Sequence, residues 1–433
     1  MGVRSRDLRR LERELHEYLR EILDGLGRRE RVEALSWYIT GLLLDGERKS
    51  IEPMAARLVD HESDISAMRQ RLQECVTISG WSDEEVFRRL ALKVDSELPA
   101  VEAFIIDDTG FPKKGRHSVG VQRQYSGTLG RQDNCQVATS LHLGGEQGST
   151  CIAFQLYLPE QWCTDEDRRR KAKIPDDVQF ATKHEIALAQ IDAALRWGVR
   201  KHIVLVDAGY GESTDFREQL ASRHLSYVVA VNGEPCVWGP GSNPAIPRQT
   251  GNRGRPCTNY VDRRHPPVTI RDLSRTLEPR RVQWRQGSLG WQSSRFAAAR
   301  VRTAHRHAKG AAPGGEQWLL CEWRHDDVEP SKFWLSNLSA QTSLQTLVRF
   351  AKLRWRVERD YQELKQEIGL DHFEGRTWRG FHHHATLCAV AHGFLALRRA
   401  LFPPQPSEMD AFPRTPGPSE GPALLGRHLP FVP

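Results

Sequence analysis

The sequence predicts an α/β fold with a helical N-terminal part and a β-rich insertion. Three observations predict it. From about residue 99 to 235, apolar strand-like runs alternate with amphipathic helices, which implies a sheet with helical faces. Helical periodicity fills residues 1–98. Residues 236–335 break that rhythm, with frequent Gly, Pro and Arg around short strand signals.

In the first 98 residues, Leu8, Leu11, Leu15, Tyr18 and Ile22 recur at helical spacing. "SDEE", from Ser82 to Glu85, reads as a capping box in which Ser82 caps the helix and Glu85 reaches back. "SIEPMAARLVDHESDISAMRQRL" predicts two short helices around a polar turn, with Ala55, Leu58, Ile65, Met68 and Leu72 as a small core. It fits a DNA-reading helix-turn-helix or a plain helical hairpin, so 1–98 is a candidate DNA-end-binding domain. "VEAFIIDD" then reads as a strand. "HSVGVQRQYSGTLG", "NCQVATSLHL" and "STCIAFQLYLP" read as its neighbours. "ATKHEIALAQIDAALRWGV" is an amphipathic helix, "KHIVLVDAGYG" a strand, "STDFREQLASRHL" a helix and "SYVVAV" a strand. Six of the twelve tryptophans fall in 236–335, together with the strand candidates "PVTIRDL", "SRFAAARVRTA" and "QWLLCEWR". Residues 336–402 predict one long helix from about Ser343 to Ile368 and a second from about Gly380 to Leu401. Residues 403–433 form a Pro-rich tail expected to be disordered.

The 433 residues suffice for two or three domains. No apolar run approaches a bilayer span, and the charged N-terminus lacks a signal-peptide core, so a cytoplasmic chain without membrane contact is expected. The eight cysteines form no C-x-x-C pair, which argues against a zinc site or a disulfide framework. Net charge is +7. Its distribution is more telling: Gly251–Gly310 holds 13 Arg and one Lys against Asp262, Asp272 and Glu278, or 14 − 3 = +11. Such an excess points to phosphate binding. Arg263, Arg264, Arg280 and Arg281 are its candidate DNA contacts. "RRRKAK", Arg168 to Lys173, reads as a solvated loop, and the run His382–His384 as packing or DNA contact rather than a metal site.

Two carboxylates end hydrophobic strands. "FIIDDTGFPKKG" runs into Asp107 and Asp108, and "IVLVDAGYG" into Asp207. Side chains there emerge at one edge of the sheet, where sites form. A third carboxylate, Glu358, sits in "AKLRWRVERDYQELKQEIG". Read as one unbroken helix, that stretch puts Arg354, Glu358 and Lys365 on one face. Separated carboxylates that converge are what paired magnesium ions require. The plainer alternative is an i,i+4 surface pair of Arg354 and Glu358. Lys113 and Lys114 follow the first aspartates closely enough to contact DNA, or serve only as turn lysines.

"IIDDTGFPKKGRHSVGVQRQYSGTLG", "VLVDAGYGEST" and "LRWRVERDYQELKQEIGLDHFEGRTWRGFHHHA" resemble the DDE transposases of bacterial insertion sequences, over about Leu35 to Arg399. The resemblance implies an RNase H-like mixed sheet flanked by helices. Residues 99–235 would form its first part, 236–335 a basic β-rich insertion and 336–402 the helical part bearing the glutamate. The family's signature is Tyr, two residues, Arg, three residues, Glu, six residues, Lys. Arg354, Glu358 and Lys365 match it in register, while the tyrosine position holds Ala351. The resemblance implies catalytic Asp107, Asp207 and Glu358. The first aspartate maps to Asp107 or Asp108, with Asp107 preferred, and both belong to the implied metal-ligand set. It further implies two Mg2+ ions, with Mn2+ able to substitute. The implied partner is double-stranded DNA, both terminal inverted repeats and target, bound by a dimer at the DNA ends. Arg354, Lys365, Lys113 and Lys114 would contact that DNA, and an aromatic of the insertion could stack on an unpaired base. Trp291 is the candidate among Trp284, Trp291, Trp318 and Trp323. The expected function is cleavage of element ends and transfer of the 3′-hydroxyl strand to target DNA. The alternative is a catalytically inactive or truncated transposase-derived DNA-binding protein. A glycoside hydrolase with paired carboxylates accounts poorly for the basic segment.

Overall fold

The structure, a computed structural model, describes residues 5–127, 130–248, 257–305, 307–324 and 327–402. The tail 403–433, expected to be disordered, lies outside the described residues, as do Arg253, Arg255 and Arg306 of the basic segment. The chain forms two compact units. The first comprises residues up to Glu102, Asp107–Arg200 and residues from Arg356 onward; the second comprises Ala103–Ile106 and Lys201–Trp355.

The first unit opens with five helices: α1 (Ser5–Leu23), α2 (Arg29–Leu43), α3 (Ile51–Leu58), α4 (Ile65–Thr77) and α5 (Asp83–Glu97). Each buries one apolar stripe. Leu15, Tyr18, Leu19 and Ile22 do so on α1. Met54, Ala55 and Leu58 of α3, and Met68, Leu72 and Cys75 of α4, are buried where these two helices meet. The Ser82 hydroxyl caps α5 by accepting the Glu85 N–H at 3.1 Å. The expected return half of the capping box is absent, because the Glu85 carboxylate is held by Arg88 and Arg89. Charged donors outcompete a backbone N–H for it. β1 (Ala103–Pro112) follows, then the antiparallel ladder of β2 (Gln122–Ser126), β3 (Arg131–Gly145) and β4 (Gly148–Leu156), with a register shift at Leu141/His142. α6 (Glu160–Thr164), α7 (Glu166–Ala172) and α8 (Lys183–Trp197) complete this part. The "RRRKAK" stretch is mostly helical rather than a loop. Asp165 caps α7, Arg168 lies over the Trp162 ring, and only Lys173, with φ 52°, leaves the helix. α8 carries a complete capping box, Thr182 with Glu185.

In the second unit the first residues of β1 pair in parallel with β5 (Ile203–Val206), in the register Ala103↔Ile203 to Ile105↔Leu205. The short α9 (Ala208–Gly211) and α10 (Thr214–Ser222) lead to β6 (Tyr227–Val231), which is parallel to β5. An antiparallel region follows: β7 (Cys236–Trp238), β8 (Val268–Thr269), α11 (Ile270–Ser274), β9 (Arg280–Arg285), β10 (Trp291–Thr303), β11 (Glu316–Trp323) and β12 (Lys332–Ser336). β12 pairs with β6, β11 with β12 and β10 with β11, so the added strands extend the ladder begun by β5 and β6. α12 (Leu344–Leu353) packs on β9 and β10. Its Lys352 reaches both Glu322 carboxylate oxygens at 2.6 Å and lies over the rings of Trp284, Phe296 and Trp334.

α13 (Trp355–Gln362) runs into a π-helical turn, Glu363–Glu367, and α14 (Trp378–Leu401) follows. The single helix expected over Ser343–Ile368 is therefore two helices, interrupted at Arg354, with π winding at the end. α14 is apolar nearly all round because it is a core helix, packed on β4, α5, α2 and α4. Among the described residues no helix is long and apolar enough to cross a membrane. The architecture is mixed α/β: a mixed parallel and antiparallel sheet flanked by helices, of the RNase H-like kind.

Candidate active site

Asp107 and Asp108 are consecutive on β1, so their side chains leave opposite faces of the strand. Asp108 faces α8 and β3: Lys183 Nζ meets its Oδ2 at 2.7 Å, and the Thr139 hydroxyl donates to its Oδ1 at 3.0 Å. The Asp107 Oδ1 accepts the Asp108 N–H at 2.8 Å. Its backbone carbonyl accepts the Tyr361 hydroxyl at 3.0 Å.

Asp207 lies in the second unit as the cap of α9, where its Oδ1 accepts the Tyr210 N–H at 3.3 Å. The tight turn after it needs glycine. A Cβ on Gly211 would stand 2.0 Å from the Ala230 carbonyl of β6. In the β1–β5 register Ile105 pairs with Leu205, and each strand reaches its aspartate two residues later.

Glu358 is exposed on α13. Tyr361 is three residues on, so the two share a helical face about 4.5 Å apart along the axis. Tyr361 belongs to a buried polar cluster in the first unit. The Ser140 hydroxyl lies 2.6 Å from the Tyr361 oxygen and 2.9 Å from His142 Nε2. His142 Nδ1 lies 2.7 Å from an Asp360 oxygen, and Ser149 donates to the other at 2.7 Å. In the π turn Glu363 meets His392 at 3.2 Å and Arg359 at 2.6 Å, and pairs with Arg399. Burial alone would raise the Glu363 pKa, but His392 and Arg399 outweigh it and hold the carboxyl far below its ordinary value. None of Ser140, His142, Asp360 or Tyr361 was singled out from sequence. Tyr361 had a usable signal, its i+3 spacing from Glu358 inside the same motif.

The lysines divide. Lys365 donates to the Gly110 carbonyl at 2.9 Å, lies over the Phe111 ring, and burial lowers its pKa. The π turn takes it out of strict heptad phase with Glu358. Lys113 donates to the Phe373 carbonyl at 3.2 Å and is also lowered by burial. Lys114 is exposed. Arg354, half-buried, is the residue at the break after α12. Ala351, where the signature has tyrosine, is a buried residue of α12.

In the insertion Arg263, Arg264, Arg280 and Arg281 are exposed, and none has a carboxylate partner among the described residues. Other arginines there are internally paired: Arg271 with Glu234, Arg275 with Asp272 and Glu329, and Arg300 with Glu316. Trp323 is buried, Trp284 lies under Lys352 and Trp318 under Arg300. Trp291 is 72% exposed and lines a surface cavity of about 430 Å³ with Arg281, Val282, Gln283 and Gln345.

A set of three carboxylates without sulfur or imidazole suits a hard divalent cation. Asp107 and Asp207 are half-exposed and Glu358 is exposed. Asp107 and Glu358 belong to the first unit and Asp207 to the second. Among the described residues no group of three or more His, Cys, Asp and Glu side chains is arranged to hold a metal ion.

Comparison with known proteins gives the family. Residues 21–290 match the family described as DDE superfamily endonuclease, a span that contains Asp107 and Asp207 and ends before Glu358. The chain is also similar to a protein of Microchaete diplosiphon named "Probable transposase for insertion sequence element IS701", 33% identical over 211 residues. That alignment covers 47% of this chain and 50% of the relative, so the chain spans about half the length of the relative it matches. On the family match over most of its length, this chain belongs to the DDE superfamily of endonucleases.

Proposed function

We propose that this chain is an insertion-sequence transposase that cuts the ends of its element and transfers the 3′-hydroxyl strand to target DNA. Asp107, Asp207 and Glu358 are its catalytic carboxylates. The observation that carries the reading is the parallel register of β1 and β5, in which both strands reach their aspartates two residues beyond the Ile105↔Leu205 pair. The Tyr361 bond to the Asp107 carbonyl supports Glu358 as the third member. Asp108, engaged by Lys183 and Thr139, serves as a neighbour rather than a ligand.

The three carboxylates would hold two Mg2+ ions, with Mn2+ able to substitute. Bound there, the ions would activate a water or a 3′-hydroxyl and stabilise the leaving oxygen. The chain's own residues position the DNA. Arg263, Arg264, Arg280 and Arg281 neutralise phosphates, and Lys114 and Arg354 contact the strand near the aspartates. Trp291 offers an open aromatic face for an unpaired base. Lys113 and Lys365 act from behind, by tying their segments down through backbone carbonyls. The DNA-end complex is a dimer, working in the cytoplasm on nucleoid DNA.

The test is Glu358→Gln, which keeps size and hydrogen bonding but removes the charge. Gel-shift and nicking assays on DNA carrying the element's ends should show unchanged binding and no magnesium-dependent nick. Wild type should release a 3′-hydroxyl and join it to target. If wild type binds authentic ends but never cuts them, the chain is a binding protein derived from a transposase.

A further inference from the structure

The buried cluster beneath Glu358 is more elaborate than packing requires. Ser140, His142, Ser149, Asp360 and Tyr361 are all at most 9% exposed, and they join three strands to one helix. Apolar side chains of similar volume would hold the helix at least as firmly, and a buried polar group left unpaired is costly. Such a network therefore makes better sense as a device that fixes one geometry. Its end point is specific. Tyr361 has one proton to give, and the acceptor is the carbonyl of Asp107 itself. The Ser140 hydroxyl then donates to the phenol oxygen, which locks the ring.

We propose that Tyr361, held by Ser140, is a positioning residue that sets the helix bearing Glu358 in register with the strand bearing Asp107. This rests on the reading of Asp107 and Glu358 as metal-holding carboxylates. Tyr361 touches neither DNA nor metal; it acts through the spacing of two carboxylates on different elements. A misplacement of about 1 Å between such groups can cost about a hundredfold in rate.

The test uses the full chain and four variants, Tyr361→Phe, Ser140→Ala, Asp107→Asn and Glu358→Gln. Three quantities are read: Mn2+ binding by electron paramagnetic resonance without DNA, the melting temperature, and the single-turnover nicking rate against metal concentration at saturating end DNA. Tyr361→Phe should fold and bind end DNA like wild type. Its rate should fall about tenfold or more, its half-saturating metal concentration should rise several-fold, and its Mn2+ affinity should weaken. Ser140→Ala, which keeps the Tyr361–Asp107 bond, should show the same changes in smaller measure. A Tyr361→Phe protein with wild-type metal dependence overturns the proposal. So does one whose activity falls only in proportion to the folded fraction, because that is a purely structural role. If Asp107→Asn and Glu358→Gln abolish Mn2+ binding while Tyr361→Phe leaves it intact, positioning alone is wrong. Wild-type Mn2+ binding in Glu358→Gln, or no Mn2+ binding by wild type, removes the site reading and this inference with it.

Discussion

Asp107 and Asp108 carry the same functional group on adjacent residues, and the strand separates their fates. The pleat turns Asp108 onto Lys183 and Thr139, while Asp107 takes the opposite face. Asparagine at each position should therefore act differently. Asp108→Asn removes half of a partly exposed ion pair, worth about 1 kcal/mol or less, and should leave metal-dependent nicking detectable. Asp107→Asn should abolish nicking with little change in melting temperature. Parallel nicking assays and thermal melts check this, and the reverse pattern would exchange the two roles. The insertion separates similar residues in the same way. Of four candidate tryptophans only Trp291 combines high exposure with an open ring face, because Trp284 and Trp318 lie under cations and Trp323 is in the core.

At the scale of elements, α14 shows how a run that suggests a site becomes structure. His382 accepts the Leu156 N–H, His383 stacks on Trp81 with ring centroids 3.8 Å apart, and His384 lies between Tyr38 and the Gly369 carbonyl. All three are buried packing residues, and burial pushes His383 and His384 down to about 4. The sign follows. The folded state keeps these rings neutral, whereas the unfolded chain takes up protons as pH falls below the ordinary histidine value of 6.5. Their contribution to stability is complete above that value and is lost as pH falls toward 4, together a few kcal/mol. Denaturant melts between pH 6.5 and 4.5 should show this decline. His384→Gln, though less stable throughout, should show a shallower one. An unchanged slope in the variant would mean that His384 does not titrate with folding.

At the scale of the whole molecule, the +11 of Gly251–Gly310 is only partly available to a ligand. Arg271 pairs with Glu234, Arg275 with Asp272 and Arg300 with Glu316, whereas Arg263, Arg264, Arg280 and Arg281 project without a carboxylate partner among the described residues. Replacing those four by glutamine should weaken end-DNA binding. It should also flatten the plot of log affinity against log salt by about 0.9 for each phosphate no longer neutralised. Fluorescence anisotropy across a salt series measures both, and an unchanged slope would remove the insertion from the DNA interface. Trp291→Ala belongs to the same experiment. It should leave the salt slope intact, since stacking releases no counterions.

Periodicity and strand-end chemistry were enough to place the first helices, the strands that run into Asp107 and Asp207, and the β-rich character of 236–335. Each is a local signal, carried by residues close in sequence. The Ser82 cap was legible for the same reason, but its return half was not, because arginines one turn along the helix took the Glu85 carboxylate. The sequence also supplied the Arg354, Glu358, Lys365 spacing, yet not its geometry. The break at Arg354 and the π turn depend on what the helix packs against, as when Glu363 meets His392 and Lys365 meets Gly110. The hold of Lys183 and Thr139 on Asp108, the exposure of Trp291 and the tie from Tyr361 to Asp107 all rest on how residues far apart in the chain pack. Tyr361 and Asp107 are separated by 254 positions. Local pattern determines which residue types stand at the ends of strands and along helices; only tertiary packing decides which of them share a hydrogen bond.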